Sequence, residues 1–305
     1  MDGGPPGAIH YNSDQQITVK AVDVQTGNEI TLNTTPKTLN CGDATPWWQT
    51  RLGDVRAGGS SLTDRIPSSC VGACTPVVSL TNNSAGLVTY KTPPTSDFGS
   101  GTASSPNWKV DSQFGGTSYS YELVNNKLGS SATLFNPSSL PTTTGNYKAT
   151  GDTTIPAAGG AWTIGAGQKL VVLIEGNLTI NREIVVPAGS YLAFFVSGDI
   201  SVDPSIGTTH NNDSGNQLEG IYAANGSFRT GQTVVCNPGN NRLNIGGTVV
   251  ADADLNGSGN ISQQRCLGPR DNLYPSFYVN YRPDFLLNAP PVVQRSGLLW
   301  QEVAP

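Results

Sequence analysis

The chain has 305 residues, of which 36% are hydrophobic and 13% charged, the latter about half the usual share. A formal charge of −5 with no lysine- or arginine-rich run argues against nucleic acid as a partner, and no apolar stretch reaches the length of a membrane span. Abundant Gly, Asn and Thr favour turns and strands over helices, and no long segment carries apolar residues at helical spacing.

The start, Met1-Asp2-Gly3-Gly4, does not read as a signal peptide, and Met1 is the one methionine. The chain therefore reads as a mature fragment with an added start residue. Residues 1–40 form a predicted N-terminal β-hairpin and linker: Ile17, Val19 and Ala21 alternate, Thr26-Gly27-Asn28 makes a turn, and Ile30 and Leu32 resume. Residues 41–144 read as an irregular, β-rich flank or cap, with strands at Gly86–Tyr90 and Ser118–Leu123. Within it Trp47-Trp48 has two readings. Paired indoles can stack on sugar, but they more often bury apolar area, here by anchoring the flank on the domain that follows.

Five cysteines stand at 41, 70, 74, 236 and 266. With no histidine near them zinc is a poor reading. Disulfides Cys70–Cys74 and Cys236–Cys266 are the preferred pairing, which implies an oxidising, extracytoplasmic compartment. Cys41 is then left over, free or the true partner of Cys70 or Cys74, and five reduced buried thiols remain the alternative.

Residues 145–275 carry an internal repeat. Five segments align on Gly151, Gly176, Gly198, Gly226 and Gly247, spaced 25, 22, 28 and 21 residues apart. Apolar residues alternate on both sides of the shared glycine, as in Val172/Ile174 before Gly176 and Leu178/Ile180 after it. Trp162-Thr163-Ile164 and Ile184-Val185-Val186 supply further short runs. A period near 22 residues is one coil of a solenoid, and glycine suits the bend between two faces. The fold class is thus all-β: a right-handed parallel β-helix of about five coils with a disulfide-containing N-terminal flank. The apolar positions point inward, and Thr, Ser and Asn make a polar outer face. The polar stretch at 208–216 would project from one corner. A β-sandwich also has short strands but does not require the same residues in the same order around one glycine. Residues 276–305 form a tail expected to pack on the rod.

Pro46-Trp47-Trp48-Gln49, Gly53-Asp54-Val55, Gly58-Gly59, Leu218–Ala223, Tyr281-Arg282-Pro283-Asp284 and the closing Trp300-Gln301-Glu302-Val303-Ala304-Pro305 stand out as motifs. On these the sequence resembles uncharacterised secreted, surface-anchored proteins of small candidate-phylum bacteria. The resemblance implies surface display, with no enzymatic activity and no catalytic residues.

Function reads first as an extracellular structural or adhesive surface protein that contacts glycans, a cell surface or its own copies, the last through assembly into a filament. The alternative is a carbohydrate-active β-helix enzyme, a hydrolase or lyase. Its carboxylates would be Asp199 and Asp203 near the corners, with Glu175 and Glu183 beside them, and Asp252 and Asp254, which share one strand face if Ala251–Leu255 stays extended. Asp152, Asn177 and Asp199 occupy one repeat position, where a structural turn ladder is the favoured reading. No cofactor is expected. Calcium is the one ion the acidic loops would admit, although its nonapeptide repeat is absent. His10 and His210 lie far apart, no serine–histidine–acid set is recognisable, and His210 reads as a solvated loop residue.

Overall fold

The structure is a computed structural model. It describes residues 46–57, 63–67, 78–79, 86–90 and 119–294 without 214, 234 and 292, and the backbone of the strands at 15–17, 20–22, 29–31, 37–39, 97–99 and 108–111. The chain divides into two compact units, Met1–Ala44 and Thr45–Pro305. In the first, Lys20–Val22 pairs antiparallel with Glu29–Thr31, and Gln15–Ile17 with Lys37–Leu39.

The second unit is a parallel β-solenoid. Gly145–Thr150, Lys169–Glu175, Tyr191–Val196, Leu218–Ala224 and Leu243–Val250 lie side by side in that order, every pair parallel. A second sheet stacks Thr153–Ile155, Leu178–Ile180, Ile200–Val202, Phe228–Arg229 and Ile261–Ser262. Trp162–Thr163 on Ile184–Val185 begins a third face. Successive turns of the chain repeat this order, so like residues stack on like and the interior fills continuously. Trp162, Phe194, Tyr222, Phe228 and Phe277 form a run of aromatic contacts along that interior, with centroids 5.6–6.3 Å apart.

The second sheet follows the predicted alternation. Leu178, Ile180, Ile200 and Val202 are buried, while Thr154, Thr179, Ser201 and Arg229 form one register row on the other face. The long sheet does not. Leu170, Val172 and Ile174 are buried, and so are Val171 and Leu173 between them; Tyr191–Val196 is buried at every position. A strand buried on both faces reads as an unbroken apolar run, which Leu170-Val171-Val172-Leu173-Ile174 is. The expected polar outer face is therefore restricted, and the chain covers the long sheet itself.

One cover is the helix Tyr121–Leu128, which lies on Lys169–Glu175 and Tyr191–Val196. This corrects the strand expected at Ser118–Leu123. Ser120 caps the helix by accepting from the Leu123 N–H at 3.2 Å, Glu122 stands in the first turn and Lys127 in the last, and Tyr121, Val124 and Leu128 are buried on one side. Asn225 fixes its start, accepting from the Tyr121 N–H and donating to Glu122. The second cover is the short helix Asp284–Asn288. Phe285 sits edge-on to Tyr191 at 6.2 Å and against Gly247, where a Cβ would also strike the Gly220 carbonyl.

The described strands between 46 and 111 add further parallel pairs. Phe277–Asn280 pairs in parallel with Leu243–Gly246 on one side and with Trp48–Arg51 on the other, and Thr50–Arg51 then pairs with Val78–Ser79. So Phe277–Asn280, expected in a tail, is a central strand, and Trp48–Arg51, 229 residues earlier at Phe277, continues its ladder. Val55–Ala57 pairs with Leu87–Tyr90, which pairs with Trp108–Asp111; Thr63–Ile66 pairs with Asp97–Gly99. All are parallel. The chain thus begins its stack at the end where the later repeats finish, returns along the long sheet as the helix, and starts again at Thr133–Leu134 beside Gly145–Thr150.

The first four repeat glycines stack as aligned: Gly151 over Gly176, Gly198 and Gly226. Gly247 does not belong with them. It lies opposite Gly220 inside Leu243–Val250, with φ of +149°. The equivalent bend is at Ala253 and Gly259, on either side of a corner insertion.

Candidate functional site

At the glycine corner, each turn's polar residue binds the next turn's backbone. The Asp152 Oδ1 accepts from the Asn177 N–H at 2.8 Å, the Asn177 Oδ1 from the Asp199 N–H at 2.8 Å, the Asp199 Oδ1 from the Ser227 N–H at 2.6 Å, and the Ser227 Oγ from the Asn260 N–H at 3.2 Å. The turn ladder is thus an inter-coil clamp. Asp54 does the same for the Leu87 N–H at 2.9 Å. Burial pushes the Asp199 carboxyl up, but the Ser227 N–H and an ion pair with Arg229 outweigh it and hold it below the usual range.

Three of the other candidate carboxylates, Asp203, Asp252 and Asp254, are likewise bound to nearby backbone. Asp203 accepts from the Ser205 N–H at 2.8 Å. Asp252 and Asp254 do not share a strand face: the strand ends at Val250, and Asp252 takes φ +54° in the corner insertion. Its Oδ1 accepts from Gly257 and Ser258, while Asp254 holds Asn256. Glu175 pairs with Lys148 at 3.2 Å beside the Tyr121 ring.

The stretch at 208–216 does not project from a corner. It folds over the long sheet, where Asn212 and Gly215 carbonyls accept from the Asn244 Nδ2 at 2.8 Å each. The buried Arg242 and the half-exposed Arg51 both pair with Asp213, at 2.6 and 2.9 Å, and both guanidinium groups lie over the Tyr278 ring, at 5.1 and 4.7 Å. His210 is half-buried rather than solvated. Its ring meets Tyr274 at 4.8 Å and Arg270 at Nδ1, and burial, then Arg270 and Arg242, push its pKa down.

Beside this cover the surface opens into a concavity of about 420 Å³, lined by Pro204, Ser205, Thr233, Val235, Asn237, Gly239, Asn240 and Asn241. No lining side chain is charged. The disulfide Cys236–Cys266, as expected, ties the 233–241 segment to the next turn of the chain. The Asn240 Nδ2 adds bonds to the carbonyls of Val235 and Cys266, and the Thr233 Oγ1 accepts from the Cys266 N–H at 3.2 Å. Beneath, the fully buried Arg265 donates to the carbonyls of Thr230, Ile206, Asn241 and Asp203. Burial lowers its pKa to about 9, against the opposing pull of the Asp203 carboxylate.

Trp47 is fully buried with Ile66, Val78 and Val88, and its Nε1 donates to the Asp271 carbonyl at 2.8 Å; Trp48 is half-buried between the two apolar clusters. Cys41, Cys70 and Cys74 lie outside the described residues, as does His10. Among the described residues no group of three or more His, Cys, Asp or Glu could hold a metal ion, and no helix is long and apolar enough to cross a membrane. Sequence reasoning did not find the concavity. Its one signal was the run Asn237-Pro238-Gly239-Asn240-Asn241 next to Cys236, which composition alone reads as a turn. No protein-family model matches the chain, nor does any curated protein or solved structure.

Proposed function

We propose that this chain is an extracellular adhesive or structural surface module that holds its partner by non-catalytic contact, a glycan being the partner its surface suits best. The observation that carries this is the charge-free lining of the 204–241 concavity. General acid–base chemistry needs a titratable group within reach of the substrate, and two of them at set separation for a glycosidase. Here Asp199, Asp203, Asp252 and Asp254 each accept from backbone N–H groups. The disulfide suits an oxidising compartment, and the charge-poor composition suits a contact surface. The two-residue strand Thr133–Leu134, with prolines at 137 and 141 close behind, is a short, blunt sheet edge, which disfavours open-ended stacking of copies at that end.

Co-sedimentation with insoluble polysaccharides and with whole cells tests the reading. Saturable retention on at least one of these supports it, and retention on none would sink it. Solution mass at several concentrations separates contact with a foreign surface from contact between copies.

A further inference from the structure

We infer that the 204–241 concavity is a binding site for a neutral oligosaccharide and that the Cys236–Cys266 disulfide keeps it competent. This rests on the adhesive reading above and names the place and the ligand class.

Three asparagines are the polar centre of the lining, and each is fixed at one end of its amide. The Asn237 Oδ1 accepts from the Gly239 N–H at 2.8 Å, the Asn240 Nδ2 donates to Val235 and Cys266, and the Asn241 Nδ2 donates to the Ser205 carbonyl at 3.2 Å. The opposite ends, the Asn237 Nδ2 and the Oδ1 atoms of Asn240 and Asn241, make no hydrogen bond among the described residues. One donor and two acceptors are therefore presented by side chains whose rotamers are already set. Pre-set groups lose little freedom on binding, and a mixed donor–acceptor array matches the vicinal hydroxyls of a sugar, each of which both donates and accepts.

Val235 supplies the complementary apolar contact. It is 63% exposed, and it shares the concavity with Pro204. A pyranose ring has an apolar C–H face and a hydroxyl rim, which is the pairing this lining offers. The volume falls within the range of small-molecule sites. The lack of lining charge selects against uronates, sulfates and peptides with ionised side chains. Arg265, though close, is fully buried and spends its N–H groups on four carbonyls, so it offers an anion no direct contact.

The disulfide matters because most of the lining belongs to one segment. Thr233, Val235, Asn237, Gly239, Asn240 and Asn241 lie on the stretch that Cys236 fastens to Cys266. Reduction frees that stretch from its neighbour, leaving the Asn240 and Thr233 hydrogen bonds to hold it.

The test measures binding of cellohexaose, maltohexaose, chitohexaose and mannohexaose, with oligogalacturonate as the anionic probe, to the full chain by NMR titration. At least one neutral hexasaccharide should bind and shift resonances of the 233–241 segment. Asn237→Ala combined with Asn241→Ala should weaken it at least tenfold, whereas Thr154→Ala on the second sheet should leave it unchanged. A thermal melt of each variant confirms folding. Dithiothreitol should weaken wild-type binding at least tenfold, and Cys236→Ser with Cys266→Ser should match it. If the asparagine variants bind within twofold of wild type, or if only oligogalacturonate binds, the site assignment is overturned while adhesion stands. If no sugar binds but cells still retain the chain, the ligand class fails and the adhesive reading survives. If neither binds, both fail.

Discussion

Replacing Asp271 with Asn should remove a pH dependence that the wild-type fold carries between pH 5 and pH 8. Asp271 sits on the 3₁₀ turn Gly268–Asn272 and is fully buried. Its Oδ2 accepts from the Leu267 N–H at 2.7 Å, and its Oδ1 has no partner among the described residues. Burial pushes its pKa up to about 7, against the pull of the Leu267 N–H and of the nearby Ser276 hydroxyl. The folded pKa therefore lies above the ordinary carboxyl value of 3.8. The native state binds the proton more tightly than the unfolded chain, so the contribution to stability is fully present below about pH 4 and is lost as pH rises through about 7. At pH 5, two units below the folded pKa and at about 1.4 kcal/mol per unit, it amounts to about 3 kcal/mol that is gone by pH 8. Urea unfolding of wild type and Asp271→Asn at pH 5, 6, 7 and 8 measures it, because the amide keeps the shape and cannot titrate. The difference between the two profiles should change by about 3 kcal/mol over that range, with wild type relatively stronger at pH 5. Parallel profiles, or a wild type that gains relative stability as pH rises, would refute the reasoning.

Three further outcomes follow from the packing. Trp47→Ala should cost about 3–5 kcal/mol in chemical denaturation, since it empties a fully buried site and frees the Asp271 carbonyl, and limited proteolysis should then cut first within residues 46–111. Asp199→Ala should cost roughly 1–3 kcal/mol, because the Ser227 N–H loses its acceptor; Asp199→Asn, which keeps an acceptor, should recover part of that. Reducing or removing the Cys236–Cys266 bridge, which closes a loop of 30 residues, should lower stability by about 3–4 kcal/mol in the same assay.

The solenoid was legible because its signal is local and repeated. Gly176-Asn177-Leu178-Thr179-Ile180 and Gly198-Asp199-Ile200-Ser201-Val202 occupy matching places in successive turns, and the structure stacks them in register. The Gly247 segment mimics the same pattern, yet its glycine pairs with Gly220, six residues before Gly226, and the true bend carries Ala253 and an insertion before Gly259, which no spacing rule detects. Residues 46–90 were missed for another reason. Gly53-Asp54-Val55 and Gly86-Leu87-Val88 follow the repeat and Asp54 makes the repeat's hydrogen bond, but they precede the helix and stack at the far end, where chain order no longer predicts neighbours. The two-sided burial of the long sheet was visible in Leu170–Ile174, whose unbroken apolar run contradicts a polar outer face. The helix at Tyr121–Leu128 was obscured by Tyr119 and Tyr121, whose spacing imitates a strand; the Ser120 cap and the Tyr121/Val124/Leu128 spacing were the better guide. The Cys236–Cys266 bridge was expected from the sequence, but the concavity beside it also depends on amide orientations, which composition does not encode.

The claim at the centre of this account is contact without chemistry, and prolonged incubation of the chain with a polysaccharide that retains it tests that most directly. Mass spectrometry of the supernatant should find no oligosaccharide beyond the protein-free control while the bound fraction stays constant. Hydrolysis fragments or unsaturated lyase products that accumulate in proportion to protein and time would contradict the account and turn attention to an enzyme.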